Sequence, residues 1–324
     1  MSARRPGGRL ARLARLLGLA APALLAAGCA GPDPAEHFAA LQASLVSKGG
    51  LRTEIAPADA PYDRGDLERN FRLIAFRSEF PAAGDIIDEK PLSKWRGTIT
   101  WRIVGDDRPS DHARMQALGA RIEAATGLEL REAEAAETPR MLIMYLSPEA
   151  RPTMRSALAQ RFPEALLEMF DTWASQLWVV CYATTYRGGD GPWTSGALIG
   201  IRDELPDLLR DSCLDEEVVQ ALGLPNDDAS VRPSIFNDDE EFAFMTEHDA
   251  DLLRILYDPR LAPGMTEAEA APIVRRIVDE MDDVPPAPTG GRPLASAVAR
   301  PSEPDHGARR PAPPGAPAGS APRG

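Results

Sequence analysis

The chain has 324 residues, of which 44% are hydrophobic and 6% aromatic, a composition typical of an ordinary globular protein with one or two domains. Acidic residues outnumber basic residues by 49 to 36, and the formal net charge is -13. A surface this acidic excludes nucleic acid and anionic lipid headgroups as partners.

The first 28 residues are predicted to form an export signal, because an arginine-rich start precedes an apolar stretch that is too short to span a bilayer. The signal ends in LAAGC at 25–29, which resembles the lipobox of bacterial lipoproteins. This resemblance implies that Cys29 carries the lipid and anchors the protein to the membrane. Because Ala30 follows Cys29, it also implies the outer membrane. The alternative is a plain secretory signal with an incidental cysteine. We predict no transmembrane helix in the mature chain.

The two ends of the mature chain are predicted to lie outside the main domain. Residues 29–65 are rich in proline and glycine, and they are interpreted as a lipid-anchored tether with one short helix at 36–47 and little core of its own. Residues 284–324 are rich in proline, alanine and glycine and hold almost no large apolar side chain. Such a segment cannot bury a core, so we predict a disordered tail.

Residues 66–283 are predicted to form one α+β domain, in which a mixed sheet packs on helices. Apolar spacing and turn residues predict the elements in this chain order: a strand or edge helix at 70–80, a strand at 95–104, a helix at 111–126 ended by Gly127, strands at 128–131 and 141–146, a helical insert at 152–173, and strands at 177–187 and 195–202. A long helix follows.

The chain has three cysteines, which matters in an exported protein. If Cys29 carries the lipid, Cys181 and Cys213 remain as a pair in an oxidising compartment, and we predict one disulfide between them. The alternative is two free thiols, one of which acts as a nucleophile.

The segment at 213–227, CLDEEVVQALGLPND, resembles the active-site helix of metzincin proteases, HExxHxxGxxH. In those enzymes the histidines bind zinc and the glutamate activates water. The alignment implies that Glu216 and Gln220 occupy the two histidine positions, Glu217 the position of the general base, and Asn226 that of the third ligand.

The resemblance to metzincins continues after this helix. The segment PSIF at 233–236 is similar to the methionine turn beneath the metal, with Phe236 in place of the methionine, and MTEHDADLLRILYDPRL at 245–261 is similar to the closing helix of matrixin-like domains. This implies a degenerate zincin-like fold with a former metal cleft. The residues of this degenerate cleft are Glu216, Glu217, Gln220, Asn226 and Phe236.

Most of residues 66–283 resembles a family of proteobacterial lipoproteins designated domain of unknown function 2927. The segments that carry the resemblance are NFRLIAF, EEVVQALGLPND, RPSIFNDDEEFA and HDADLLRILYDPRLAPGMT, together with Cys181 and Cys213. This family implies no particular activity.

The donor set at the aligned positions is one carboxylate and two amides, which is poor for zinc, so we predict neither a metal nor another cofactor there. Asp215, Glu216 and Glu217 are interpreted as solvated acids in the first turn of the helix, capped by Ser212. The acidic runs at 226–228 and 237–241 leave calcium as an alternative, because calcium binds carboxylate and amide oxygens.

These observations favour a non-catalytic binding or scaffold domain of the cell envelope that faces the periplasm and binds an envelope protein or peptide. One alternative is a hydrolase of peptide or peptidoglycan with an atypical or cation-dependent site. A purely structural, lipid-tethered protein is a third possibility.

Overall fold

A computed structural model describes residues 33–78, 90–188 and 191–286. Within these ranges the chain forms eight helices and five strands. The helices are α1 (Pro34–Ser47), α2 (Arg64–Ala75), α3 (Pro109–Thr126), α4 (Arg151–Leu158), α5 (Glu164–Ser175), α6 (Asp207–Ala221), α7 (Glu247–Tyr257) and α8 (Glu267–Asp279). The strands are β1 (Ile99–Gly105), β2 (Leu130–Glu132), β3 (Met141–Leu146), β4 (Cys181–Arg187) and β5 (Thr194–Arg202). None of these helices is long and apolar enough to cross a membrane.

The five strands form one mixed sheet in the order β2-β1-β3-β5-β4. The first four strands in this order are parallel to one another, and β4 runs antiparallel to β5. Strand β4 therefore forms one edge of the sheet and β2 the other. The prediction of an α+β fold with a mixed sheet packed on helices is confirmed.

The sheet separates two hydrophobic cores, because side chains alternate between its faces along each strand. In β3, Ile143 and Tyr145 belong to the larger core, which includes residues of α2, α3, α6, α7 and α8. Met144 and Leu146 of the same strand belong to the smaller core with α4 and α5. Helix α6 thus lies against one face of β4, and helix α5 lies against the other.

Several predicted elements match the structure closely. The strand at 141–146 is β3, and the helix predicted at 111–126 is α3, which ends at Gly127 with φ of 70°. The segment at 70–80, predicted as a strand or an edge helix, belongs to α2 as far as Ala75. The helical insert is divided into α4 and α5.

The first described segment packs on the domain more than its composition predicts. Phe38 of α1 is fully buried, and the guanidinium of Arg202 lies 5.4 Å from its ring. Leu51 is also buried, and its backbone N–H donates to the carbonyl of Glu240 at 2.7 Å. A few large apolar side chains are therefore enough to attach this part of the predicted tether to the core. Cys29 lies outside the described residues, as does the tail beyond Pro286.

The start of α6 differs from the prediction. The helix begins at Asp207 after Pro206, so Ser212 lies inside it and is not a cap. Asp215 is fully buried and Glu217 is 5% exposed, so neither is the solvated first-turn acid that was predicted. Asp215 is tolerated in the core because Arg114 of α3 donates two hydrogen bonds to its carboxylate and Met245 N–H donates a third.

A disulfide joins β4 to α6, which confirms the predicted pairing of Cys181 with Cys213. The two Cα atoms are 5.9 Å apart. The bond fixes the first residue of the edge strand to the middle of the helix. It therefore sets the distance between the two elements that border the cavity described next.

Candidate binding cleft

A cleft of about 590 Å³ lies between the edge strand β4 and the C-terminal half of α6. Helix α6 contributes Glu217 and Gln220, and Gly223 and Pro225 follow from the turn after the helix. The other residues that line the cleft are Ala75, Ser78, Lys90, Pro91, Ser93, Met169, Tyr182, Ala183, Thr184, Thr185, Arg187 and Ala221. The cleft therefore combines one acidic and two basic side chains with an apolar floor.

The cleft follows the backbone edge of β4. Its lining includes the consecutive residues Tyr182 to Thr185, although alternate side chains of a strand point to opposite faces. It also reaches Met169 of α5 on one face of the sheet and Glu217 of α6 on the other. A cavity with this lining passes around the edge of the strand, so the backbone of β4 borders it.

The register shows which backbone groups of β4 face outward. Ala197 N–H donates to the carbonyl of Arg140, on the β3 side of β5. The direction of the backbone N–H and C=O groups alternates from residue to residue along a strand. Those of Leu198 and Gly200 therefore face β4, where these residues stand opposite Thr184 and Tyr182. The N–H and C=O groups of Ala183 and Thr185 consequently face away from β5. Within the described ranges, no strand pairs with that side of β4.

Tight contacts fix the turn that ends α6. Gly223 has φ of 118°, and a Cβ atom there would lie 2.0 Å from the carbonyl oxygen of Ser93, so only glycine fits. The Trp95 indole N–H donates to the carbonyl of Ala221 at 2.7 Å, and the Tyr257 hydroxyl donates to that of Leu222 at 2.8 Å. These bonds satisfy carbonyls that the helix end leaves unpaired. The cleft wall is therefore rigid at this point.

Residues 64–276 match the family described as Protein of unknown function (DUF2927). The chain belongs to this family. The matched range begins with α2 and includes the whole sheet, the disulfide and every residue that lines the cleft. Comparison with curated proteins and with solved structures found no match.

The DUF2927 domain brings together two of the five predicted cleft residues. Glu217 and Gln220 line the cleft, and Gln220 Nε2 donates to Asp227 at 2.9 Å. Glu216 is half-buried and is not part of the lining. The other two residues are held elsewhere. The Asn226 amide donates to the carbonyl of Leu73 at 3.0 Å, and Phe236 is fully buried in the larger core.

The three positions aligned with zinc ligands do not fit a zinc ion in this domain. Glu216 and Asn226 are absent from the cleft lining, and Gln220 offers an amide, which is a poor zinc ligand. Within the described residues, no group of three His, Cys, Asp or Glu side chains is arranged to hold a metal ion.

The acidic runs form ordinary turns. Asp228 accepts hydrogen bonds from the backbone N–H and the hydroxyl of Ser230, at 2.8 and 2.5 Å. The Asn237 amide donates to the carbonyls of Ala229 and Val231. Glu241 pairs with Arg52 and Arg232. The carboxylate oxygens of Asp228 and Glu241 thus already have partners within the chain.

Glu217 of α6 interacts electrostatically with Tyr182 of the edge strand β4. Burial raises the pKa of the Tyr182 phenol, and the charge of Glu217 raises it further. Tyr182 lies over Gly200, where a Cβ atom would be 2.1 Å from the ring. The missing side chain of Gly200 therefore makes room for the ring of Tyr182.

Sequence reasoning missed the contribution of β4 to the cleft. The strand itself was predicted at 177–187, but nothing local identifies it as an edge. Lys90 and Arg187, which supply the basic groups of the cleft, also have no distinguishing local pattern. Their positions depend on the strand order, which contacts between distant parts of the chain determine.

Proposed function

We propose that this domain binds an extended peptide segment of another envelope protein along β4, without cleaving it. The observation that carries the proposal is the cleft beside the outward-facing backbone groups of Ala183 and Thr185. An extended peptide can add a strand to such an edge, and its backbone hydrogen bonds then provide affinity. Side chains of alternate residues provide specificity.

The charges around the cleft indicate how a peptide would be selected. Glu217 gives the cleft a negative charge, and Lys90 and Arg187 supply positive charges that would attract an acidic side chain. Ala183 and Met169 offer apolar contact between these groups. We therefore expect a peptide with charges of both signs in preference to a purely apolar one.

A degenerate zincin-like fold is part of the proposal. Helix α6 follows β5, the last of the five strands along the chain, and Gly223 allows the sharp turn after the helix. The resemblance to metzincins implies both features. The hydroxyl of Ser234 donates to Asp249 of α7 at 2.5 Å, which fixes the segment at 233–236 against α7, with Phe236 in the larger core. Core packing by Phe236 would replace the function of a methionine beneath a metal.

The proposed location follows from the signal and lipobox at residues 1–29. A lipid on Cys29 would attach the domain to the outer membrane, where it would face the periplasm. The disulfide between Cys181 and Cys213 suits that oxidising compartment. In this setting the domain would hold a partner protein near the membrane.

Substitutions in β4 test the proposal. We would select binders from a displayed library of random dodecapeptides and measure their affinity by calorimetry. Thr185→Pro removes an outward N–H group without removing a bond to β5, so we expect at least tenfold weaker binding. Thr185→Val changes the same side chain but keeps the N–H, and it should bind as the unmodified protein does.

Three results would contradict the proposal. One is a selection that yields no specific peptide, and another is equal affinity of the proline and valine variants. The third is cleavage of bound peptides, detected by mass spectrometry and lost in Glu217→Ala. That result would favour the alternative of a peptide or peptidoglycan hydrolase, since Glu217 is the buried carboxylate of the cleft.

A further inference from the structure

A second cavity, of about 280 Å³, contains two arginines in a strongly acidic protein. Its lining residues are Arg96, Arg140, Gly188, Trp193, Thr194 and Ser195. In the described parts of the chain, no carboxylate forms an ion pair with Arg96 or Arg140. Most other charged arginines near the surface do have such partners, for example Arg131 with Glu137 and Arg155 with Asp171.

Arg140 is held in a fixed position. Its Nη1 donates to the carbonyls of Arg96 and Thr98, its Nη2 to that of Thr194, and its Nε to that of Ser195, at distances of 2.8 to 3.3 Å. The guanidinium also lies 4.9 Å from the ring of Trp95. A guanidinium has five N–H groups, so one on Nη2 remains for a ligand.

The two positive charges disfavour each other. Burial lowers the pKa of Arg140, and the charge of Arg96 lowers it further. Arginine nevertheless keeps its proton in proteins, so both charges persist at neutral pH. An anion between them would relieve this repulsion.

The remaining residues supply further contacts. The exposed guanidinium of Arg96 lies 5.7 Å from the ring of Trp193, which orients it over the cavity. Ser195 Oγ accepts a hydrogen bond from Gly188 N–H at 2.6 Å, and a hydroxyl group that accepts a hydrogen bond can still donate its own hydrogen. The cavity thus offers a planar guanidinium, one N–H group of Arg140 and one hydroxyl group. A carboxylate or phosphate group can accept two hydrogen bonds at once from donors of this kind.

We propose that the pocket formed by Arg96, Arg140, Trp193 and Ser195 binds the oxyanion group of a small molecule, either a carboxylate or a phosphate. The site is distinct from the cleft beside β4. Ser93 of the cleft and Thr194 of the pocket share a hydrogen bond at 2.9 Å, which forms part of the wall between them. The proposal therefore stands independently of peptide binding.

Calorimetric titration of the full chain tests this site, with inorganic phosphate in one arm and succinate in the other. Sodium chloride at equal ionic strength controls for general screening. We expect saturable binding in at least one arm, and the arm that binds identifies the class of oxyanion. In Arg96→Gln we expect binding at least tenfold weaker. Because Arg96 is exposed and its guanidinium donates to no backbone carbonyl among the described residues, this variant should fold normally.

Arg161→Gln is the matched control, because Arg161 is an exposed arginine outside the pocket and the change in net charge is the same. Its affinity should equal that of the unmodified protein. Arg140→Gln is a second variant, to be interpreted only if its circular dichroism shows native folding. The proposal is overturned by the absence of saturable binding in both arms, by unchanged affinity in Arg96→Gln, or by an equal loss in Arg161→Gln.

Discussion

The two edges of the sheet are built differently. Strand β2 has three residues, and its middle residue Arg131 forms an ion pair with Glu137. Strand β4 has seven residues, and a cleft of about 590 Å³ runs along its outer side. Short edges bearing charges are a common protection against unwanted strand pairing. In the described parts of the chain, edge β2 is therefore protected and edge β4 has no pairing strand on its cleft side, as the proposed peptide binding requires.

The edge strand β4 is also held to the helices by specific links. Edge β4 is joined covalently to α6 through Cys181 and Cys213, and α6 is joined to α3 through Arg114 and Asp215. A binding edge must keep its geometry without the support of a further strand.

The largest expected effect is that of Arg114→Met. The substitution leaves the fully buried carboxylate of Asp215 without its cation, and breaking such a pair costs about 3 to 5 kcal/mol of unfolding free energy. Burial already raises the pKa of Asp215, while Arg114 opposes that rise. Without Arg114 the folded state binds the proton more tightly than the unfolded state, so stability falls as pH rises. Urea titrations should show a smaller deficit at pH 5 than at pH 8, and an equal deficit would contradict this account.

Removal of the disulfide comes next. The bond closes a loop with a sequence separation of 32, which corresponds to about 3 to 4 kcal/mol of unfolding free energy. The double variant Cys181→Ala/Cys213→Ala should lose stability of this order in urea titrations. It should also bind selected peptides more weakly, because β4 is no longer fixed to α6. Unchanged peptide affinity in a destabilised variant would show that the cleft does not depend on this link.

Lys94, beside the cleft residue Ser93, should give a distinct pH dependence. Its ammonium group donates to the carbonyls of Asp258 and Leu261, and burial lowers its pKa to about 8. Between about pH 8 and pH 10 the unfolded chain binds more protons at this residue, so stability rises with pH, by up to about 3 kcal/mol. Urea titrations at pH 7.5 and 9.5 should show part of this rise, and Lys94→Met should abolish it. A rise of the same size in the variant would assign it to other groups.

The smallest effect is expected at the protected edge. Arg131→Ala removes the partner of Glu137 at β2, where both side chains are solvated. Exposed ion pairs contribute little to stability, so the urea midpoint should not shift measurably. Affinity for selected peptides should also stay the same. Weaker peptide binding in this variant would place the binding edge at β2 instead of β4.

The sequence predicted those elements whose signals are local. The apolar run MLIMYL predicts β3. The spacing of Met115, Leu118 and Ile122 predicts α3, and Gly127 predicts its end. Helix α8 was missed although its start is readable, since Thr266 and Glu269 form a capping box. The start of α6 was misplaced, because the helix begins directly after Pro206 and Ser212 lies inside it.

The candidate site could be predicted only in part, because it depends on distant contacts. Glu217 and Gln220 were identified from their motif, and both line the cleft. The burial of Asp215 could not be foreseen, since its partner Arg114 lies 101 residues away in the sequence. The edge position of β4 follows from the strand order of the whole sheet. Local pattern carries no information on either point.

Hydrogen exchange at β4 tests the central claim most directly. In the uncomplexed protein, the amides of Ala183 and Thr185 should exchange quickly, and those of Tyr182 and Thr184 slowly. A selected peptide should slow exchange at Ala183 and Thr185 at least tenfold and leave β2 unchanged. If the peptide binds with measurable affinity but exchange at Ala183 and Thr185 does not change, β4 is not the binding edge and the proposed function is wrong.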